Sequence, residues 1–326
     1  MRVITGRLIG RSLFVFLFAG ALAELHADLI LTPAGVAEGL SLTTFATGFP
    51  NSSSVGPLGV AFELGGTVLV TDDPGNIRVF PSDTDGQTAV PGQVTQNYGL
   101  SNAVDLAQVG GSTYMTRQGT GDLVQVNNDG TFNQVIVSGM PAATGLAADP
   151  VTGHLFVSTL GNNAIWDVDP IAKTKTLFVA ASADGLTLSN DGSILYGEVN
   201  GHILGWNTTT HAQVFDSGFI SGADGAAAGT GSFAGLLFVN TNFGQVFEVN
   251  ESTLAQTLIA SGGTRGDFVT VDPTNDTLLI TQTDRLIRLS GASFTTTTPE
   301  PSYLWLLVGG IAALPVFRWR RAVRQS

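Results

Sequence analysis

Between residues 57 and 290 short apolar runs alternate with clusters of Gly, Asn, Asp and Pro, and the alternation recurs with a period of roughly 40 to 44 residues. Each unit opens on a small or apolar tetrad: Gly59–Phe62, Ala103–Leu106, Gly145–Ala148, Gly185–Leu188, Gly225–Ala228 and Phe268–Val271. A turn follows, such as Asp149-Pro150, Asn190-Asp191-Gly192 or Asp272-Pro273, whose residues pre-set or tolerate tight-turn dihedrals. Second strands are predicted at 68–71, 113–116, 155–158, 194–197, 236–240 and 278–281, and third strands at 77–80, 123–126, 165–169, 203–206, 246–249 and 286–289.

A fourth, outer strand is legible at 134–138, 176–180, 212–216 and 257–261, and it is unclear in the Gly- and Gln-rich stretch after the first unit. The sixth unit lacks one. Leu40–Thr47, ahead of the first unit, reads like the outer strands and is expected to pair with the last unit, closing a ring and removing a sheet edge. Near-continuous Val, Ile, Leu and Phe runs suit sheets covered on both faces. A parallel β-helix would need shorter coils. The expected fold is all-β, a six-bladed β-propeller with four-stranded blades whose N-terminal strand closes the last blade.

The first unit, Pro57-Leu-Gly-Val-Ala-Phe-Glu-Leu-Gly-Gly-Thr-Val-Leu-Val-Thr-Asp72-Asp-Pro-Gly-Asn76-Ile-Arg-Val-Phe80, resembles an NHL repeat, and the units opening at Gly145 and Phe268 look similar. The resemblance covers most of residues 40–290. It implies the fold and leaves activity open, because binding modules, lactonases, lyases and scaffolds share it.

Charge narrows the partners. The 326 residues hold 14 Lys and Arg against 26 Asp and Glu, and the basic residues of the repeat region are only Arg78, Arg117, Lys173, Lys175, Arg265, Arg285 and Arg288. With no basic stripe to displace counter-ions, nucleic acid is excluded as a partner. Acidity also keeps a Gly- and Thr-rich protein in solution. Cysteine is absent, so neither disulfides nor a thiol nucleophile is available.

Both ends read as addresses. Arg2, Arg7 and Arg11 precede an apolar stretch from Leu13 to Ala23, the pattern of a secretory signal peptide occupying residues 1–27, with cleavage expected after Ala23 or Ala27. At the other end a Thr run leads to Pro299-Glu300-Pro301, about 15 mostly apolar residues from Tyr303 to Phe317, and Arg318, Arg320, Arg321 and Arg324. That order resembles the PEP-CTERM sorting signal of exopolysaccharide-producing Gram-negative bacteria. The resemblance implies a short transmembrane sorting helix over 299–326, transient inner-membrane anchoring with the propeller (28–298) outside, and cleavage near the triplet by an exosortase-type membrane protease. The positive-inside rule agrees, placing the arginines in the cytoplasm. The implied destination is the cell surface or extracellular matrix, with exopolysaccharide or surface proteins as partners.

Catalytic signatures are few. There is no His-Glu-x-x-His, Gly-x-Ser-x-Gly, phosphate loop with Lys or EF-hand loop. Gly229-Thr-Gly231-Ser-Phe-Ala234 matches a relaxed dinucleotide fingerprint, but inside a repeat with no helix to follow it reads as a loop. His154, His202 and His211 are spaced as strand or turn residues. Asp184, Asp224 and Asp267, however, stand immediately before inner strands four, five and six, with Asn102 and Thr144 near the equivalent places in units two and three. Inner-strand starts converge on one mouth of a propeller channel, so three carboxylates there suit a hard cation such as Ca²⁺. Senescence-marker and gluconolactonase-like propellers hold a metal with Asn or Asp before Gly at such starts. This chain departs from that pattern in the first unit, with Val55-Gly56-Pro57 where a Glu is expected. The alternative role for the three is capping the loop that enters each strand through local backbone hydrogen bonds. The function expected is binding or scaffolding at the cell surface, with a calcium-dependent lactonase-like hydrolase or lyase as the alternative.

Overall fold

Every expected repeat becomes one antiparallel sheet in the computed structural model, which describes residues 28–291. The expected signal peptide and the sorting residues Pro299, Glu300, Pro301, Arg318, Arg320 and Arg321 lie outside the described residues. Blade one is Pro57–Phe62, Val68–Asp72, Asn76–Phe80 and Val94–Asn97; blade two is Leu106–Val109, Ser112–Arg117, Asp122–Val126 and Phe132–Ser138. Blade three is Ala143–Ala148, Leu155–Thr159, Ala164–Asp169 and Thr174–Val179; blade four is Leu186–Leu188, Ile194–Val199, His202–Asn207 and Gln213–Phe219. Blade five is Ala223–Ala228, Leu236–Thr241, Val246–Asn250 and Gln256–Ser261. Blade six takes Val269–Val271, Leu278–Gln282 and Arg285–Ser290 from the end of the repeat region and Ser41–Thr47 from its start.

The ring therefore closes as expected. Ser41 pairs with Ser290 and Thr47 with Arg285, antiparallel, with one bulge between Thr44 and Ala46. Three elements were not legible in the sequence. Gln87–Thr88, in the long loop of blade one, pairs parallel with Ala46 and Thr47, so the closing strand is covered on both edges. Ile30–Leu31 pairs with Ala260 and Ser261 on the outer edge of blade five. Between Ile30–Leu31 and the closing strand lies the single turn of helix Pro33–Ala37, with Pro at its start and Thr32 Oγ1 accepting from the Gly35 amide. The inner strand of blade two also begins later than expected, at Leu106 rather than Ala103, although Val104 and Asp105 still bond to Thr116.

Apolar side chains alternate between the two neighbours of each sheet, so the core is a set of wedges between blades. The closing wedge holds Phe45, Phe49, Val60, Val70, Phe80, Leu279 and Leu286, with Phe45 edge-on to Phe80 at 5.4 Å. Arg288 seals the same seam. Its guanidinium binds Asp272 (2.9 Å), Asp85 (2.9 Å), Asp83 and Thr277 (2.6 Å) and lies 5.5 Å from the Phe45 ring centre, joining blade six to the blade-one loop.

A polar position in the second strands of blades one, two, three and five ties each of them to the next. Thr71, Thr116, Ser158 and Asn240 are fully buried, and each side chain donates to an inner-strand carbonyl of the following blade: Val104 (2.5 Å), Thr144 (2.6 Å), Asp184 (3.2 Å) and Phe268 (3.3 Å). Glycine lets those inner strands approach. A Cβ on Gly225 would stand 2.3 Å from the Asp267 carbonyl, and one on Gly145 2.4 Å from that of Asp184.

Candidate functional site at the channel mouth

The inner strands leave a channel with a different cavity at each end. Where they start, a cavity of about 130 Å³ is lined by Val55, Leu58, Asp73, Val104, Gln118, Thr144, Asp184, Asp224, Arg265, Asp267 and Phe268. Where they end, a wider one of about 420 Å³ is walled mostly by small and apolar residues such as Ala61, Ala107, Ala147 and Ala227, with Asp105, Gln108, Thr187 and Asn190 among the polar ones.

The three aspartates predicted from the repeat meet at the start-side mouth. Their carboxyls are not loop caps, because none accepts a local backbone N–H; that role falls instead to Asp149, Asp169, Asp191 and Asp272 at turns elsewhere. Asp184 is placed by its own carbonyl, which accepts from Ser158, and Asp267 by its amide, which donates to Thr281 Oγ1 at 2.9 Å. The second-strand stitch thus sets the positions from which these side chains enter the cavity. Asn102 turns away, accepting from the Thr120 amide, whereas Thr144 faces the cavity beside Gln118.

Arg265 was not anticipated. It lies two residues before Asp267, its Nη2 2.8 Å from Asp267 Oδ1 and 3.7 Å from Asp224 Oδ2. One guanidinium thus reaches two of the three carboxyls. Asp224 is 7% exposed, and its buried Oδ2 accepts no hydrogen bond from Arg265 and faces the carboxyls of Asp184 and Asp267. Burial, followed by the charges of Asp184 and Asp267, pushes its carboxyl up to about 10. Burial likewise raises Asp184 and Asp267, the latter against the pull of Arg265. At neutral pH the cluster therefore retains a proton.

Whether calcium fits can be read from the donors. Besides the three aspartates, the lining carries oxygens of Asp73 from blade one, Gln118 and Thr144, but Arg265 already engages two of the aspartates, Asp73 accepts from Ser101, and among the described residues no group of three or more His, Cys, Asp or Glu is placed to hold one metal ion. In this arrangement the Arg265 guanidinium occupies the position beside Asp224 and Asp267 that a cation would take.

The histidines stay apart, as their spacing indicates. His154 pairs with Asp167 at 2.7 Å, His202 with Asp216 at 2.8 Å, and His211 stacks on Phe178 at 4.5 Å. A second group missed by sequence reasoning is Asp105. Its oxygens accept from the amides of Leu106 and, across the blade junction, Leu146, both at 2.8 Å.

No protein-family model matches the chain, and no curated protein matches it. Solved structures do. A gluconolactonase from Xanthomonas campestris is 17% identical with a TM-score of 0.60, over 81% of this chain and 96% of that one. Virginiamycin B lyase from Staphylococcus aureus is 13% identical with a TM-score of 0.53, over 77% and 99%. A chain of the nidogen/laminin complex is 15% identical with a TM-score of 0.58, over 71% and 97%. At these identities the likeness establishes the fold, an all-β six-bladed propeller, and nothing finer.

Proposed function

We propose that the chain is an exported propeller that binds a ligand, or holds a partner, at the cell surface or in the extracellular matrix, delivered there by an exosortase-type protease acting at Pro299, Glu300 and Pro301. The observation that carries the binding role is Arg265. A hydrolase needs a base or nucleophile at the channel mouth that is free to take a proton or attack. Here Asp267 is engaged by the guanidinium, Asp184 and Asp224 are buried together and hydrogen-bonded around the proton the cluster retains, and no histidine lines the cavity. The fold itself serves a lactonase, a lyase and a member of a laminin complex, so the choice rests on the site.

The alternative, a calcium-dependent lactonase-like hydrolase or lyase, is favoured by Asp224 Oδ2, a buried oxygen with room for a cation once Arg265 moves. Calorimetry and thermal melting with calcium or chelator separate the two. The binding reading expects no calcium-dependent shift in the wild type and no hydrolysis of simple lactones. Calcium-dependent stabilisation and lactone hydrolysis, both lost in the Asp184→Asn, Asp224→Asn double variant, would establish the enzyme instead.

A further inference from the structure

The start-side cavity has two chemically distinct halves. Asp184, Asp224 and Asp267, from blades four to six, form one; Val55, Leu58, Val104 and Phe268, packed as a small apolar cluster of their own, form the other, and Asp73, Gln118 and Thr144 complete the lining. A bare divalent ion uses only the first half. An alkyl chain ending in a cation uses both, with its charge against the carboxylates and its stem on the apolar wall.

The chain supplies an example of such a group. Arg265 is itself an alkyl cation held by Asp267 through Nε (3.1 Å) and Nη2 (2.8 Å), and its side chain remains 36% exposed, so it can withdraw without disturbing the core. Its hold is incomplete. Asp224 Oδ2, buried beside it, accepts no hydrogen bond from the guanidinium, whose nearest nitrogen is 3.7 Å away. We infer that the start-side cavity is a binding site for a small alkylammonium or alkylguanidinium ligand, and that Arg265 is a resident stand-in which the ligand displaces. A volume of about 130 Å³, equivalent to about four waters at about 30 Å³ each, suits a short free cation. The inference rests on the binding reading and names its ligand class.

The test is chemical rescue of Arg265→Ala, read by thermal melting and calorimetry with n-butylammonium and n-propylguanidinium at low millimolar concentration. The variant is expected to melt below wild type and to recover saturably with either cation. Neither butanol nor calcium should restore it, and wild type should respond about tenfold more weakly because its own guanidinium competes. Adding Asp224→Asn should abolish the recovery. If Arg265→Ala does not fold, Arg265→Met keeps the stem without the charge and serves in its place. A folded variant that ignores both cations, or that responds equally to calcium or to butanol, overturns the inference. So does a response to a lysine-containing peptide without one to n-butylammonium, which would move the ligand to a partner protein. Lactone hydrolysis by the wild type with calcium would sink the binding reading without touching the rescue, so the two failures are distinguishable.

Discussion

Asp105 is a carboxyl with two backbone amides to satisfy and almost no water to help it. Burial pushes it up to about 7, against the pull of the Leu146 and Leu106 amides and with a smaller push from Asp184. Its folded value thus lies above its unfolded one near 3.9. The contribution to stability is complete below about pH 4 and is lost as pH rises through about 7. The melting temperature should accordingly decline between pH 5 and 8. Asp105→Asn should shallow that decline, leaving a remainder from Glu198, which burial also raises to about 7. At pH 5 the variant should be less stable by about 1–3 kcal/mol, because an amide accepts through only one of its two heavy atoms and one buried N–H loses its partner. A series of melts across pH checks both statements; an unchanged slope would mean that Asp105 titrates normally. At this scale the convergence of Asp184, Asp224 and Asp267 was legible, because position within a repeat maps to position around the axis. Arg265 and Asp105 were not, since neither recurs in the repeat. The stitching residues left a trace that could have been read: the second strands of units one, two, three, five and six end on Thr71, Thr116, Ser158, Asn240 and Thr281, a polar period inside otherwise apolar runs.

Among the elements, Ser41–Thr47 carries the most consequence. It contributes Phe45, fully buried against Phe80, and it covers the hydrogen-bonding edge of Arg285–Ser290. Phe45→Ala should cost about 3–5 kcal/mol, measured by denaturant unfolding, as emptying a closely packed aromatic site does elsewhere. Deleting residues 28–48 goes further. It bares the edge of blade six and strips Ile30–Leu31 from blade five, so aggregation is expected, seen as loss of the monomer peak in size-exclusion chromatography. A truncated protein that stays monomeric with an unchanged melting temperature would refute the latch. The closing strand could be read from sequence because seven residues are enough to show a pattern. Ile30–Leu31 and Gln87–Thr88 could not, because two residues have no periodicity; they are strands only because an unpaired edge already waits beside them. The outer strand of blade one, Val94–Asn97, was hidden for a related reason: its partly exposed Val, Thr, Gln and Asn carry little apolar signal.

For the whole molecule, the tail predicts a processing event. The mature exported species should lack the residues after about Pro301, and mass spectrometry of the native protein would find no peptide spanning Arg320 to Ser326 if the sorting signal operates. Recovery of that peptide from mature protein would argue for a plain membrane anchor. The ring has a further consequence, which concerns time. Ser41 meets Ser290 across 249 positions of sequence, whereas blades one to four join strands that follow one another closely and blade five does so apart from the short Ile30–Leu31 edge. A chain emerging from its N-terminus can fold blades one to five in order, but the edge of its first long strand that Arg285–Ser290 covers must wait until almost all of the repeat region has arrived. The seam between blades six and one is then the last to form. Its three aspartates around Arg288 and its ring of phenylalanines hold the step that turns an open arc into a circle, and slow arrival of the last blade would leave that arc, with one adhesive end, as the species that accumulates.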